Sequence, residues 1–93
     1  MTRQYLIGEL LVRLEQLQAT TGQPVPDAAR LRAEVENGPL AGLASATARA
    51  VALADELCWD SLSRGDAAGF DAQAKILAEL CQFGIAVRLL GDR

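Results

Sequence analysis

Side chains that could carry out acid/base, nucleophilic or metal chemistry are few in this sequence. The 93 residues include no histidine. Without an imidazole, the chain lacks the usual general base at neutral pH, the Ser-His and Cys-His nucleophile arrangements, and the Glu-x-x-His ligand motif of di-iron helical bundles. Catalysis would have to rest on carboxylates or cysteines alone, and we therefore expect a protein that is not an enzyme.

The two cysteines, Cys58 and Cys81, form no C-x-x-C motif. In an antiparallel helical hairpin that turns near Gly65, Cys81 faces Ala48, roughly 15 Å along the helix from Cys58, which is too far for a disulfide. Both cysteines lie on apolar sides of predicted helices. We therefore expect reduced, buried packing thiols, which fit a cytoplasmic protein.

Three carboxylates, Asp55, Glu56 and Asp60, form the nearest approach to a metal-ligand cluster. Asp55 points about 100° away from Glu56 on a helix, and the chain has no neutral nitrogen ligand to add. We interpret these residues as a solvated acidic face, with a hard cation held across a dimer axis as the alternative. No phosphate-binding glycine loop is present, and we expect no cofactor.

Nucleic-acid binding is disfavoured by the charges. The tight turn at residues 37–39 could join two helices of a helix-turn-helix, but the second helix would offer DNA only Ser45, Thr47 and Arg49. Binding to DNA depends heavily on cations, and the net charge is -3. We expect no nucleic-acid partner.

A membrane role is equally disfavoured. No apolar run approaches the roughly 18–20 residues that span a bilayer, and Glu9 and Arg13 interrupt what would have to be the uncharged core of a signal peptide. The most apolar helix carries only Lys75 and Arg88 to meet anionic lipid. The sequence predicts a cytoplasmic protein.

The elements that must position these side chains are helices. Alanine and leucine dominate the apolar residues, and Gly22, Gly38, Gly65 and Gly91 stand where helical patterns end. The sequence predicts helices at about 3–20, 27–36, 40–63 and 66–90, with Asp66 as the N-cap of the last. Residues 1–93 are thus expected to form one all-α domain, a small antiparallel bundle of three long helices and one short helix.

The first predicted helix has one apolar stripe and two apolar residues outside it. The stripe is formed by Leu10, Leu14 and Leu17 with their neighbours. Tyr5 and Val12 fall together on the otherwise polar side. They are either isolated surface residues or a small contact patch.

The fourth predicted helix is apolar around most of its circumference and carries two apolar seams. The bulky seam steps by four and three through Ile76, Leu80, Phe83, Val87 and Leu90. The small seam is Phe70, Ala74, Leu77, Cys81, Gly84 and Arg88. We expect the small seam to pack closely on the alanine-rich third helix, and the bulky seam to meet the first helix or another subunit.

Leftover apolar surface on a small helical protein indicates a partner, and symmetric homodimers are the commonest solution. We therefore predict a homodimer, or a contact with another protein, through Tyr5, Val12, Ile76, Leu80, Phe83, Val87 and Leu90. Trp59 and Arg88 are candidates for a ligand or polar contact.

The predicted function is a non-enzymatic helical interaction or regulatory module, such as a small adaptor, an antitoxin-like neutraliser or an accessory subunit. The alternative is a bundle that binds a small molecule in an apolar cavity between its helices, or an accessory subunit of an enzyme.

Overall fold

The computed structural model describes residues 3–22, 25–37 and 42–91. In this part of the chain four α-helices follow one another: α1 (Arg3–Ala19), α2 (Pro26–Asn37), α3 (Leu43–Ser63) and α4 (Ala67–Gly91). The same residues contain no strand, so the predicted all-α bundle of three long helices and one short helix is confirmed. The predicted start of the third helix, at residue 40, lies outside the described residues.

The connection between α3 and α4 makes these helices an antiparallel hairpin. Gly65 has φ +72°, the left-handed conformation that ends a helix. Its N–H donates to the Leu62 carbonyl oxygen at 3.2 Å, and the Asp66 N–H donates to the Ser61 carbonyl oxygen at 2.9 Å. The Asp66 carboxylate then accepts the Gly69 N–H at 2.9 Å and caps the start of α4. The predicted roles of Gly65 and Asp66 are thus confirmed.

The two helices of the hairpin approach closely because their facing residues are small. A Cβ on Gly84 would lie 3.4 Å from Cγ2 of Thr47. Ala50 and Ala54 of α3 are fully buried. The small seam of α4 therefore faces α3 at Gly84, as the sequence predicts.

Helix α1 lies antiparallel to α4 along the other side of α4. The Arg13 Nε atom is 3.5 Å from a Glu79 carboxylate oxygen, and Arg13 also pairs with Glu9 at 2.6 Å. The leucine stripe of α1 points to the same core as α4; its buried members are Leu6, Leu10, Leu14 and Leu17. Ile7 and Leu11, at the edges of the stripe, are partly buried.

Helix α2 covers the remaining side of the core, between α1 and α3. Its Leu31 and Val35 are buried. On its outer side Arg32 pairs with Glu15 of α1 at 2.7 Å, and Glu34 pairs with Arg49 of α3. These pairs are about half exposed and add little stability, so the apolar contacts hold α2 in place.

The bulky seam of α4 faces this core, which corrects part of the predicted interface. Ile76, Leu80 and Val87 are buried within the chain itself, and Phe83 is partly buried against the same cluster. The side chain of Leu90 lies outside the described residues. Of the two neighbours that the sequence analysis named for this seam, the first helix is the one that the structure shows, because the leucine stripe of α1 is buried in the same cluster. Across the described residues, no helix combines the length and hydropathy needed to cross a membrane.

Candidate interaction surface

The two cysteines have different environments. Neither forms a disulfide; Cys58 is buried and Cys81 is exposed. Burial, with a smaller contribution from the negative charge of Asp55, raises the pKa of the Cys58 thiol. A raised pKa keeps the thiol protonated and therefore a poor nucleophile. The prediction of a buried thiol is right for Cys58 and wrong for Cys81, because Cys81 lies on the side of the hairpin that faces away from the core.

The acidic residues of α3 do not converge. Asp60 pairs with Arg64 one turn later at 3.0 Å, and Asp55 and Glu56 are exposed. In the described ranges, no group of three histidine, cysteine, aspartate or glutamate residues is close enough to hold a metal ion.

Trp59 and Arg88, the candidates for a ligand contact, are both exposed but cannot share one small ligand. Arg88 lies four residues beyond Gly84, and because Gly84 faces Thr47 it is level with Leu43 at the start of α3. Trp59 is sixteen residues further along α3, which is about 24 Å at the rise of an α-helix.

Clefts between the helices are small and open. A cleft of about 60 Å³ among α1, α2 and α3 is lined by Ile7, Val35 and Leu43. A groove of about 290 Å³ beside α2 and α3 is lined by Leu31 and the charged Arg49. Ligand pockets are typically about 300–1,000 Å³ and mostly enclosed. Neither cleft has the shape or the convergent polar groups expected of a small-molecule site.

Exposed large apolar side chains lie instead on the side of the α3/α4 hairpin that faces away from the core. Trp59 and Leu62 of α3, and Ile85 and Leu89 of α4, are between 53 and 66% exposed there. Between them lie small or partly buried residues. We call this surface the outer face; it consists of Ala44, Ala48, Val51, Asp55, Trp59, Leu62, Phe70, Ala74, Cys81, Ile85, Arg88 and Leu89.

The positions of these residues around the axes of α3 and α4 explain why they share one side of the hairpin. On α3 the buried residues Ala50 and Ala54 face the interior, so positions such as Ala48 and Asp55 point away from it. On α4 the buried Leu80 and Val87 face α1, and Ile85 lies nearly opposite. Helix α4 is thus apolar on two sides. Its bulky seam is buried in the core, and its second apolar side forms the α4 part of the outer face.

Tyr5 and Val12 form a second, smaller patch on α1. Both are about half exposed, as the sequence analysis expects for a contact patch or for isolated surface residues. The Arg13–Glu79 and Thr20–Gln73 contacts run in opposite chain directions, so α1 is antiparallel to α4 and Tyr5 lies at the end of the bundle where Leu89 lies.

Gln73 is a buried polar residue that the sequence analysis did not identify. Its nitrogen lies 2.9 Å from the Leu57 carbonyl oxygen and 3.1 Å from that of Gly69 when the amide is oriented to donate to both. Its oxygen then accepts from Thr20 at 3.1 Å, and the buried Ser61 hydroxyl is 2.6 Å from the nitrogen.

These contacts join the turn after α1 to α3 and α4 and engage both ends of the amide, so Gln73 is a structural residue rather than a ligand-binding one. A sequence signal for it exists: Gln73 continues the bulky seam three residues before Ile76.

No family model matches this chain, and no characterised protein or solved structure is significantly similar to it. Functional inference therefore rests on the surface itself.

Proposed function

We propose that the protein is a non-enzymatic interaction or regulatory module that acts as a homodimer, and that the outer face is its contact surface. One observation carries the proposal: four large apolar side chains, Trp59, Leu62, Ile85 and Leu89, stand more than half exposed on one side of a small domain. Contiguous exposed apolar surface of this kind is characteristic of interaction sites.

The composition of the outer face suits a protein partner. Aromatic and large aliphatic residues occupy its two ends, alanines lie between them, and charged residues are few, as in the buried centre of an interface. Small residues also let a second helix pair approach closely. The cleft at one end of this face, lined by Leu62 and Phe70, is about 190 Å³ and open to solvent, smaller than a typical ligand pocket, which disfavours the small-molecule alternative.

The chemical groups support a role without catalysis. The chain has no histidine to act as general base at neutral pH, and its described residues contain no cluster of three potential metal ligands. Two unpaired cysteines also fit a reducing compartment, and we propose the cytoplasm as the location.

The proposal is tested by the solution mass, measured by light scattering from about 1 µM to 1 mM, the range in which association free energies run from about -8 to -4 kcal/mol. We expect a dimer within this range. Ile85→Glu should shift the equilibrium to monomer without loss of helical circular dichroism, because Ile85 is exposed in the single chain.

The matched control is Gln16→Glu, which adds the same charge at an exposed position of α1 and should leave the mass unchanged. A monomer at every concentration would refute the homodimer. A dimer that Ile85→Glu does not weaken would show that another surface forms it.

A further inference from the structure

The outer face carries two charged side chains of opposite sign, Asp55 and Arg88. Both are exposed, and neither forms an ion pair with any residue that the structure describes. Elsewhere on the hairpin, Asp71 pairs with Lys75 at 3.4 Å and Asp60 pairs with Arg64 at 3.0 Å.

Asp55 and Arg88 are too far apart to neutralise each other within one chain. Because Gly84 faces Thr47, Arg88 is level with Leu43, twelve residues of α3 from Asp55. At the rise of an α-helix this separation is about 18 Å along the hairpin. Asp55 therefore lies near the middle of the outer face, and Arg88 lies at one end of it.

We infer that a second copy of the chain docks on the outer face in antiparallel orientation, with the two-fold axis crossing the hairpin midway between Asp55 and Arg88. This inference rests on the homodimer proposed above and specifies its geometry. A two-fold axis makes every contact reciprocal. An axis at this height brings Arg88 of each copy level with Asp55 of the partner subunit, so that two intersubunit ion pairs replace four unpaired charges.

The residues at the axis are compatible with this packing. The midpoint lies level with Arg49, close to Ala48 of the outer face. Cys81 lies three residues before Gly84 and is thus level with Ala50, one residue from the midpoint. The two Cys81 residues of the dimer would lie about 3 Å apart along the helix direction, within reach of a short cross-linker.

A two-fold axis in the other direction within the interface does not bring Asp55 and Arg88 of the two copies together. If the axis ran along the helices, Arg88 would face the level of Leu43 in the partner, about 18 Å from Asp55 of the partner subunit. A different kind of protein partner could pair with either charge but would not require both to belong to the same chain. Charge reversal at the two positions therefore distinguishes the antiparallel homodimer from these arrangements.

The test uses Asp55→Arg and Arg88→Asp, separately and mixed. Each variant alone places like charges opposite each other in the homodimer, and we expect its dissociation constant to rise at least about tenfold. In the equimolar mixture each Arg faces an Asp of the other variant, so a heterodimer should form with an affinity within about threefold of the wild type. Both residues are exposed, and unchanged circular dichroism verifies the fold of each variant.

A second readout is cross-linking of the wild type with a short bismaleimide. We expect a covalent dimer that Cys81→Ser abolishes. This register would be overturned if neither charge reversal weakened the dimer, or if the mixture of the two variants failed to recover dimerisation. Either result would leave the proposed homodimer itself intact. A wild-type monomer at every concentration would instead refute the proposed function on which the register depends.

Discussion

The direction of the bulky seam can be tested by one pair of substitutions on α4. Val87 and Ile85 are two residues apart, yet Val87 is 5% exposed and Ile85 is 54% exposed. Val87→Glu and Ile85→Glu introduce the same carboxylate into the same helix. Their effects on the free energy of unfolding should differ strongly, because only one position lies inside the chain.

The magnitude follows from burial. Val87→Glu removes a buried side chain whose burial contributes about 1.5–3 kcal/mol, and an unpaired buried carboxylate adds a penalty of several kcal/mol. A domain of this size has a total stability of about 5–14 kcal/mol. We expect Val87→Glu to lose about 5 kcal/mol or more, which shifts a urea midpoint down by about 2–5 M or leaves the chain unfolded.

The free energy of unfolding of both variants is measured by urea unfolding followed by circular dichroism, at a protein concentration low enough for the monomer to predominate. Ile85→Glu should change the stability by less than about 1 kcal/mol, as is usual at an exposed site. Equal, small effects of the two substitutions would show that Val87 lies outside the core and that the bulky seam does not face the interior of the chain. Equal, large effects would show that Ile85 is buried as well.

Four further predictions concern Gln73, Asp66 and the two cysteines. Gln73→Ala should cost about 2–4 kcal/mol in urea unfolding, because it leaves a cavity and removes the partner of buried Ser61; a cost below about 0.5 kcal/mol would contradict a satisfied buried network. Asp66→Ala should cost about 1 kcal/mol through loss of the α4 cap, whereas Asp66→Asn should retain most of it, and equal costs would argue against capping. A thiol reagent should label Cys81 at once and Cys58 only on unfolding. Because burial raises the pKa of Cys58, the stability contributed by its protonated thiol is present below the ordinary thiol pKa. It is lost as pH rises through the raised value, so Cys58→Ala should flatten the fall of stability at alkaline pH.

Local signals in the sequence were sufficient to predict the helices and the turn between α3 and α4. Gly65 and Asp66 act through backbone conformation and hydrogen bonds within a few residues, so their roles could be predicted without knowledge of the fold. The same holds for the leucine stripe of α1, whose spacing matches the helical period and which is buried as expected.

Contacts between distant residues were harder to predict. Cys81 shares its seam with Gly84, but the two positions differ by about 60° around the helix, and only the packing of α3 on α4 determines that Gly84 is half-buried while Cys81 is exposed. Gln73 is a polar residue that is nevertheless buried, since its partners Thr20 and Leu57 come from the turn after α1 and from α3.

The amino-acid sequence by itself determined the helical class, the ends of the α3/α4 hairpin, and the absence of histidine chemistry. It also showed that α4 is apolar on more than one side, because periodicity reports how residues are arranged around a helix's own axis. Only the tertiary structure decided which side is inside. That choice depends on which neighbours cover the helix, and here the leucines of α1 cover the bulky seam, whereas no described helix covers the outer face.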